Sequence, residues 1–218
     1  MSQETILTRV AALGVVPVIA IEKVEVAIAL ADALLEGGLP IVEITFRTAA
    51  AAEVIRKITQ ERPQLIVGAG TVLTSANLEA AKASGAAFAV APGLNPQIVK
   101  LAQQMGLPFV PGVATPSDIE LGLALGCKLL KFFPAKALGG VQMIEALSAP
   151  YKHTGVRFMP TGGVNTGNLE AYLKLGTVAA VGGTWIAKNE DLAAGKWDDI
   201  RQRCRAALEI VAKARGPR

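Results

Sequence analysis

Eight short apolar runs, separated by turns and amphipathic stretches, predict a single (β/α)8 barrel domain spanning residues 1–218. Three observations lead there. The runs alternate with segments of 3.6-residue periodicity, which implies βαβ units and a parallel sheet. Eight runs is the number that closes a parallel barrel, and a chain of 218 residues sits at the compact end of the roughly 200–250 residues typical of that fold. No linker, charge block or low-complexity stretch divides the chain. An open doubly wound sheet is the alternative. It normally announces itself with a Gly-rich first turn, and here Gly14 stands alone before the first run.

The elements follow in order. The first dozen residues read as an extra helix ahead of the barrel. The expected strands are Val15–Ile21, Ile41–Phe46, Leu65–Gly68, Ala87–Ala91, Pro108–Val110, Lys128–Phe132, Arg157–Met159 and Val178–Val181. Between them, helical spacing of apolar residues marks Val24–Leu35, Ala49–Glu61, Ser75–Ser84, Pro96–Met105, Pro116–Leu125 and Asn168–Leu175. Gly37-Gly38, Gly85, Gly106, Gly126 and Gly176 are the stops. Ser75 and Asn95 are the expected caps, the latter with Pro96 at the first helical position. Asp191–Ala214 supplies the eighth helix.

Composition narrows the class. The chain is 51% hydrophobic and only 18% charged, so it is not disordered. No stretch reaches the roughly 18 consecutive apolar residues of a membrane span. The N-terminus carries Glu4 where a signal peptide has its basic region. Cys127 and Cys204 lie far apart and form no CxxC pair, which fits unpaired thiols in a reducing cytoplasm. His153 is the single histidine, so a three-histidine zinc site is unavailable. The net charge of +4 suits an anionic substrate, but no basic run with interleaved aromatics points to nucleic acid.

Two strands carry charge where a barrel interior should be apolar. In Ile41-Val-Glu-Ile-Thr-Phe-Arg47, alternation puts Ile41, Glu43, Thr45 and Arg47 on one face. Val42, Ile44 and Phe46 suit the helix layer, so Glu43 points into the barrel and Arg47 stands at its C-terminal mouth. In Lys128-Leu-Leu-Lys-Phe-Phe-Pro134, Lys131 shares a face with Leu129 and Phe133. The plain interpretation of Lys131 is a buried stem with its ammonium in solvent. A lysine among apolar neighbours at a strand end also suits Schiff-base chemistry, because a neutral amine attacks carbonyls. Glu43 is either an ion-pair partner of Lys131 or Arg47, or a proton shuttle, and similar surroundings serve both.

Glycines cluster at strand ends. Gly68-Ala-Gly-Thr71 fails as a dinucleotide fingerprint, since Leu73 occupies the third glycine position. Pro160-Thr-Gly-Gly163 and Val181-Gly-Gly-Thr184 follow the seventh and eighth strands. Barrels frequently bind phosphate there, through backbone N–H groups and a helix N-terminus. Tight turns are the plainer alternative. His153 falls in a polar loop on the opposite side of the barrel, Arg201–Arg205 reads as a solvated helix face, and Cys127 as a small core residue.

Taken together, Glu43-Ile-Thr-Phe-Arg47, Gly68-Ala-Gly-Thr71, Pro92-Gly, Lys131-Phe-Phe-Pro-Ala135, Pro160-Thr-Gly-Gly163 and Gly182-Gly-Thr-Trp185 resemble the 2-keto-3-deoxy-6-phosphogluconate (KDPG) aldolase family, whose members also act on 4-hydroxy-2-oxoglutarate. The motifs occur in the family's order and cover nearly the whole chain. The resemblance implies a class I aldolase with no cofactor and no metal, a homotrimer acting on a phosphorylated keto acid. It implies Lys131 as the Schiff-base lysine and Glu43 as the general acid/base. Arg47 and Thr71 would hold the substrate carboxylate. Pro92 and Phe133 would line the pocket, and Thr161, Gly162, Gly163, Gly183 and Thr184 would receive the phosphate. Thr184 departs from the family's frequent Gly-Gly-Ser-Trp. Thr161 favours the gluco-configured substrate over 2-dehydro-3-deoxy-6-phosphogalactonate, whose aldolase is one alternative. A phospho-sugar epimerase or isomerase using Glu43 as base is another. A non-catalytic phosphoanion binder is a third, disfavoured because Lys131 and Glu43 are costly to keep in a barrel interior.

Overall fold

Parallel pairing curls the apolar runs around a common interior. The computed structural model describes residues 3–216. β1 (Val15–Ile19) pairs with β2 (Ile41–Thr45), β2 with β3 (Ile66–Gly70), β3 with β4 (Phe88–Val90), and β4 with β5 (Phe109–Val110). Beyond β5, β6 (Gly112–Val113) pairs with β7 (Leu129–Phe132), and β7 with β8 (Arg157–Phe158). β9 (Val181–Gly183) returns to β1. Bridges from Phe158 to Val178 and from Thr161 to Gly182 join the eighth and ninth strands. The expected strand at Pro108–Val110 thus runs on to Val113. Pro111 splits it, because proline offers no N–H to the ladder. Its first half pairs with β4 and its second with β7.

The helices are α1 (Gln3–Leu13), α2 (Ala27–Glu36), α3 (Ala51–Glu61), α4 (Ser75–Ala83), α5 (Pro96–Gln104), α6 (Pro116–Ala124), α7 (Gly140–Ser148), α8 (Leu169–Leu173), α9 (Asn189–Ala193) and α10 (Trp197–Arg215). α3 shows why they pack as they do. Ala51, Val54, Ile55 and Ile58 recur at helical spacing and all are buried, while Glu53 and Arg56 stay outside that stripe. Asn95 caps α5 by accepting from the Gln97 N–H, with Pro96 behind it, as expected. Ser75 does not cap α4. Thr74 is the extended residue there, and its hydroxyl accepts from the Asn77 N–H.

Two further departures concern the C-terminal half. α7 was not legible, because Gly139 and Gly140 open it with φ of +107° and +67° and look like a helix stop. The eighth helix is two, α9 and α10, separated at Gly195 with φ +65°. Arg201–Arg205 is also more than a solvated face. Arg203 donates to the Ile186 carbonyl and to the buried Asp191, and Arg201 bridges Glu36 and Asp198. Among the described residues no helix is long and apolar enough to cross a membrane.

The interior is filled by side chains that need absent neighbours. A Cβ at Gly68 would lie 2.2 Å from the ring of Phe88, which is completely buried beside it. The same device, two residues along β3, makes room for Glu43.

Candidate active site

β2 delivers Glu43 and Thr45 inward on one face, and Arg47 follows at the rim, as alternation requires. β7 delivers Lys131 from the opposite side of the interior, with Phe133 just above it. These side chains meet in one cavity of about 230 Å³ at the C-terminal ends of the strands. Lys131 Nζ donates to Glu43 Oε1 at 3.3 Å. Glu43 is 0% exposed and Lys131 5%, so their pairing is largely shielded from solvent. Lys131 Nζ also lies 5.7 Å from the centre of the Phe133 ring.

Small residues create this room. A Cβ at Gly70 would fall 2.2 Å from Glu43 Oε1. Gly112 pairs with Lys131 across the ladder, and a Cβ there would fall 2.1 Å from the Pro92 carbonyl oxygen. Pro92 can therefore close over the cavity. Thr71 takes φ +55°, the left-handed region that β-branched residues avoid. That unusual backbone turns it into the cavity wall.

The seventh and eighth turns complete the rim. Thr161 is 5% exposed, and a Cβ on its bridge partner Gly182 would collide with its hydroxyl. Gly162 and Gly163 have φ of +98° and +75°. Their N–H groups and that of Val164 make no hydrogen bond within the described residues. Gly183, the last residue of β9, and Thr184 just after it line the same cavity. Helix N-termini do not join this rim as expected. α8 begins only at Leu169 and α9 at Asn189, several residues beyond each glycine pair. What the turns offer an anion is backbone N–H groups in a glycine nest.

All eleven residues singled out in the sequence line this one cavity. Val18, Thr45 and Val164 line it too. Thr45 was already on the inward row with Glu43, and the alternation could have recruited it. Val18 pairs in register with Glu43, a juxtaposition that only the fold shows. His153 is exposed on a 3-10 helix spanning Ala149–Thr154, away from this cavity. Among the described residues no group of three or more His, Cys, Asp or Glu side chains is placed to hold a metal ion.

Comparison with known proteins agrees with the geometry. The family model for KDPG and KHG aldolase matches residues 6–203. A 2-dehydro-3-deoxy-phosphogluconate aldolase from Haemophilus influenzae is 43% identical over 208 residues, 95% of this chain and 97% of that protein. A KHG/KDPG aldolase from Escherichia coli K12 is also 43% identical, over 95% of each chain. The crystal structure of a KDPG aldolase from Legionella pneumophila, with pyruvate captured as a covalent carbinolamine, superposes with a TM-score of 0.88. It is 39% identical and covers 92% of this chain and 97% of that one. The chain therefore belongs to the KDPG and KHG aldolase family.

Proposed function

We propose that this chain is a class I aldolase. It cleaves 2-dehydro-3-deoxy-6-phosphogluconate to pyruvate and glyceraldehyde 3-phosphate, and 4-hydroxy-2-oxoglutarate to pyruvate and glyoxylate. The observation that carries the reading is Lys131, a buried lysine at a strand end, 3.3 Å from a wholly buried carboxylate. The carbinolamine held by the Legionella relative is the adduct such a lysine forms with pyruvate.

The chemistry follows from that pair. Proton transfer from Lys131 Nζ to Glu43 leaves an amine that adds to the C2 ketone. Glu43 returns the proton as the carbinolamine loses water. The resulting iminium is an electron sink, so the reaction itself calls for no cofactor. Glu43 then takes the C4 hydroxyl proton, the C3–C4 bond breaks and its electrons flow into the iminium. Glyceraldehyde 3-phosphate leaves. The enamine is protonated at C3, and hydrolysis releases pyruvate and Lys131.

The remaining residues divide the cavity by charge. Arg47 and Thr71 hold the carboxylate, Pro92 and Phe133 cover the imine, and Thr161, Gly162, Gly163, Gly183 and Thr184 receive the phosphate. The unengaged N–H groups of Gly162, Gly163 and Val164 support the last assignment. We expect a homotrimer in a reducing cytoplasm. Leu73, Leu121 and Met143, exposed apolar side chains, suit subunit contacts, and Cys127 and Cys204 are both unpaired.

The test is pyruvate release from both substrates, followed through coupled NADH oxidation. Turnover of both supports the assignment. Epimerisation or isomerisation of a phospho-sugar without pyruvate release would instead favour the base-only alternative.

A further inference from the structure

The inward row of β2 holds one polar side chain that the chemistry above leaves unused. Thr45 is 2% exposed and lines the cavity between Glu43 and Arg47. Its Oγ1 finds no hydrogen-bond partner in the protein. A buried hydroxyl in that condition destabilises the fold relative to a methyl group of the same shape. The hydroxyl therefore lacks a structural explanation, and its position in the cavity suggests a chemical one.

Glu43 presents a second atom of this kind. Lys131 occupies Oε1, while Oε2 is buried without a partner in the protein. Residues two apart on a strand stand about 6.6 Å apart on the same face. The two side chains therefore flank one stretch of cavity floor, and an oxygen seated there can reach both. Their chemistry is complementary, since a carboxylate only accepts and a hydroxyl can donate. Opposite them, Thr45 pairs in register with Gly70, whose missing side chain keeps this side of the cavity open.

We propose that Thr45 is a catalytic residue of this aldolase, donating a hydrogen bond to the substrate oxygen whose proton Glu43 takes. In the cleavage step that oxygen is the C4 hydroxyl. It donates its proton to Glu43 Oε2 and accepts from the Thr45 hydroxyl. As the proton leaves, negative charge grows on the oxygen until the C3–C4 bond breaks and a neutral aldehyde forms. A donor already in place in a buried site stabilises that passing charge. The interaction is stronger in the transition state than in the bound substrate, so its loss lowers kcat and leaves KM nearly unchanged. The inference rests on the Schiff-base reading of Lys131.

Thr45→Val, Thr45→Ala and Thr45→Ser in the full chain test it, with KDPG turnover, borohydride trapping of pyruvate and thermal unfolding as readouts. Thr45→Val should lower kcat about 10²-fold, as loss of one such donor does, and should still trap pyruvate on Lys131. It should melt at or above the wild type, because an unpartnered hydroxyl has gone. Thr45→Ala should show the same fall in kcat, and Thr45→Ser should restore most of it. Wild-type kcat in either variant that lacks the hydroxyl overturns the proposal. So does a raised KM with kcat kept, which would make Thr45 a carboxylate contact beside Arg47. So does a fall in melting temperature in both that Thr45→Ser repairs, which would make the hydroxyl structural. Failure of the wild type to trap pyruvate would instead remove the Schiff-base reading itself, and the Thr45 proposal with it.

Discussion

Gly70→Ala should disable the cavity without unfolding the barrel. The added Cβ would lie 2.2 Å from Glu43 Oε1, 2.7 Å from its Cγ and 2.8 Å from its Cδ. Comfortable contact needs about 3.5 Å, so the carboxylate must retreat by about 1 Å. Glu43 is completely buried, and a retreat moves Oε1, the atom that contacts Lys131 at 3.3 Å, out of its present geometry. Gly70 is outside the left-handed region, so alanine brings no backbone strain. Overpacking costs about 1–3 kcal/mol, offset by the about 0.4–1 kcal/mol that Gly→Ala gains through the unfolded chain. The net loss, at most about 2.6 kcal/mol, leaves a domain of ordinary stability folded. Displacing a reacting group by about 1 Å costs about 10²-fold in rate. Steady-state pyruvate release, with circular dichroism as the check on folding, measures both. A Gly70→Ala protein with wild-type kcat would refute the claim that this glycine reserves space for the working position of Glu43.

Two other predictions follow from the same geometry. At the proposed phosphate end, Gly163 is a poor probe, because its φ is +75° and a Cβ would meet Lys136 Cβ at 2.4 Å, so any side chain strains the turn. Thr184→Val removes a hydroxyl with no backbone demand; it should raise KM for KDPG and leave 4-hydroxy-2-oxoglutarate cleavage unchanged, and equal effects on both would contradict a phosphate role. At the back of that loop, the Arg203 guanidinium holds the Asp191 carboxyl below the usual carboxylate range despite its burial. A depressed folded value means that the stabilisation is complete above the unfolded pKa of about 3.9 and fades as pH falls through the folded one. Asp191→Asn should therefore lower the melting temperature at pH 7 more than under strongly acid conditions, and a gap independent of pH would count against the pair.

Much of this was legible because a barrel punishes misplaced polarity. Period-2 alternation put Glu43 and Arg47 on the inward row of β2, and Lys131 with Phe133 on that of β7, where the cavity gathers them. Glycine pairs at the ends of the last two strands marked the rim for a different reason in each case: only glycine takes the φ of +98° and +75° found at Gly162 and Gly163 without strain, whereas a Cβ at Gly182 or Gly183 would collide with Thr161 or Trp185. What escaped depended on distant neighbours. Gly68 and Gly70 look like one turn motif in sequence, yet each answers to a side chain on another strand, Phe88 and Glu43. Thr45 lay on the right face but looked like ordinary strand threonine, and only its lack of a partner sets it apart. Arg203 looked solvated until the fold set Asp191 and the Ile186 carbonyl against it. The helix at Gly140–Ser148 was hidden by the glycines that start it.

The central claim is that Lys131 forms a covalent imine. Borohydride reduction in the presence of pyruvate, followed by peptide mass spectrometry, tests it most directly. Wild-type protein should carry one reduced pyruvyl adduct, on Lys131, and Lys131→Arg should carry none while keeping its fold, because a guanidinium keeps the charge without a nucleophilic amine. An adduct on Lys128 or Lys136 in its place, or pyruvate release by Lys131→Arg at the wild-type rate, would contradict it.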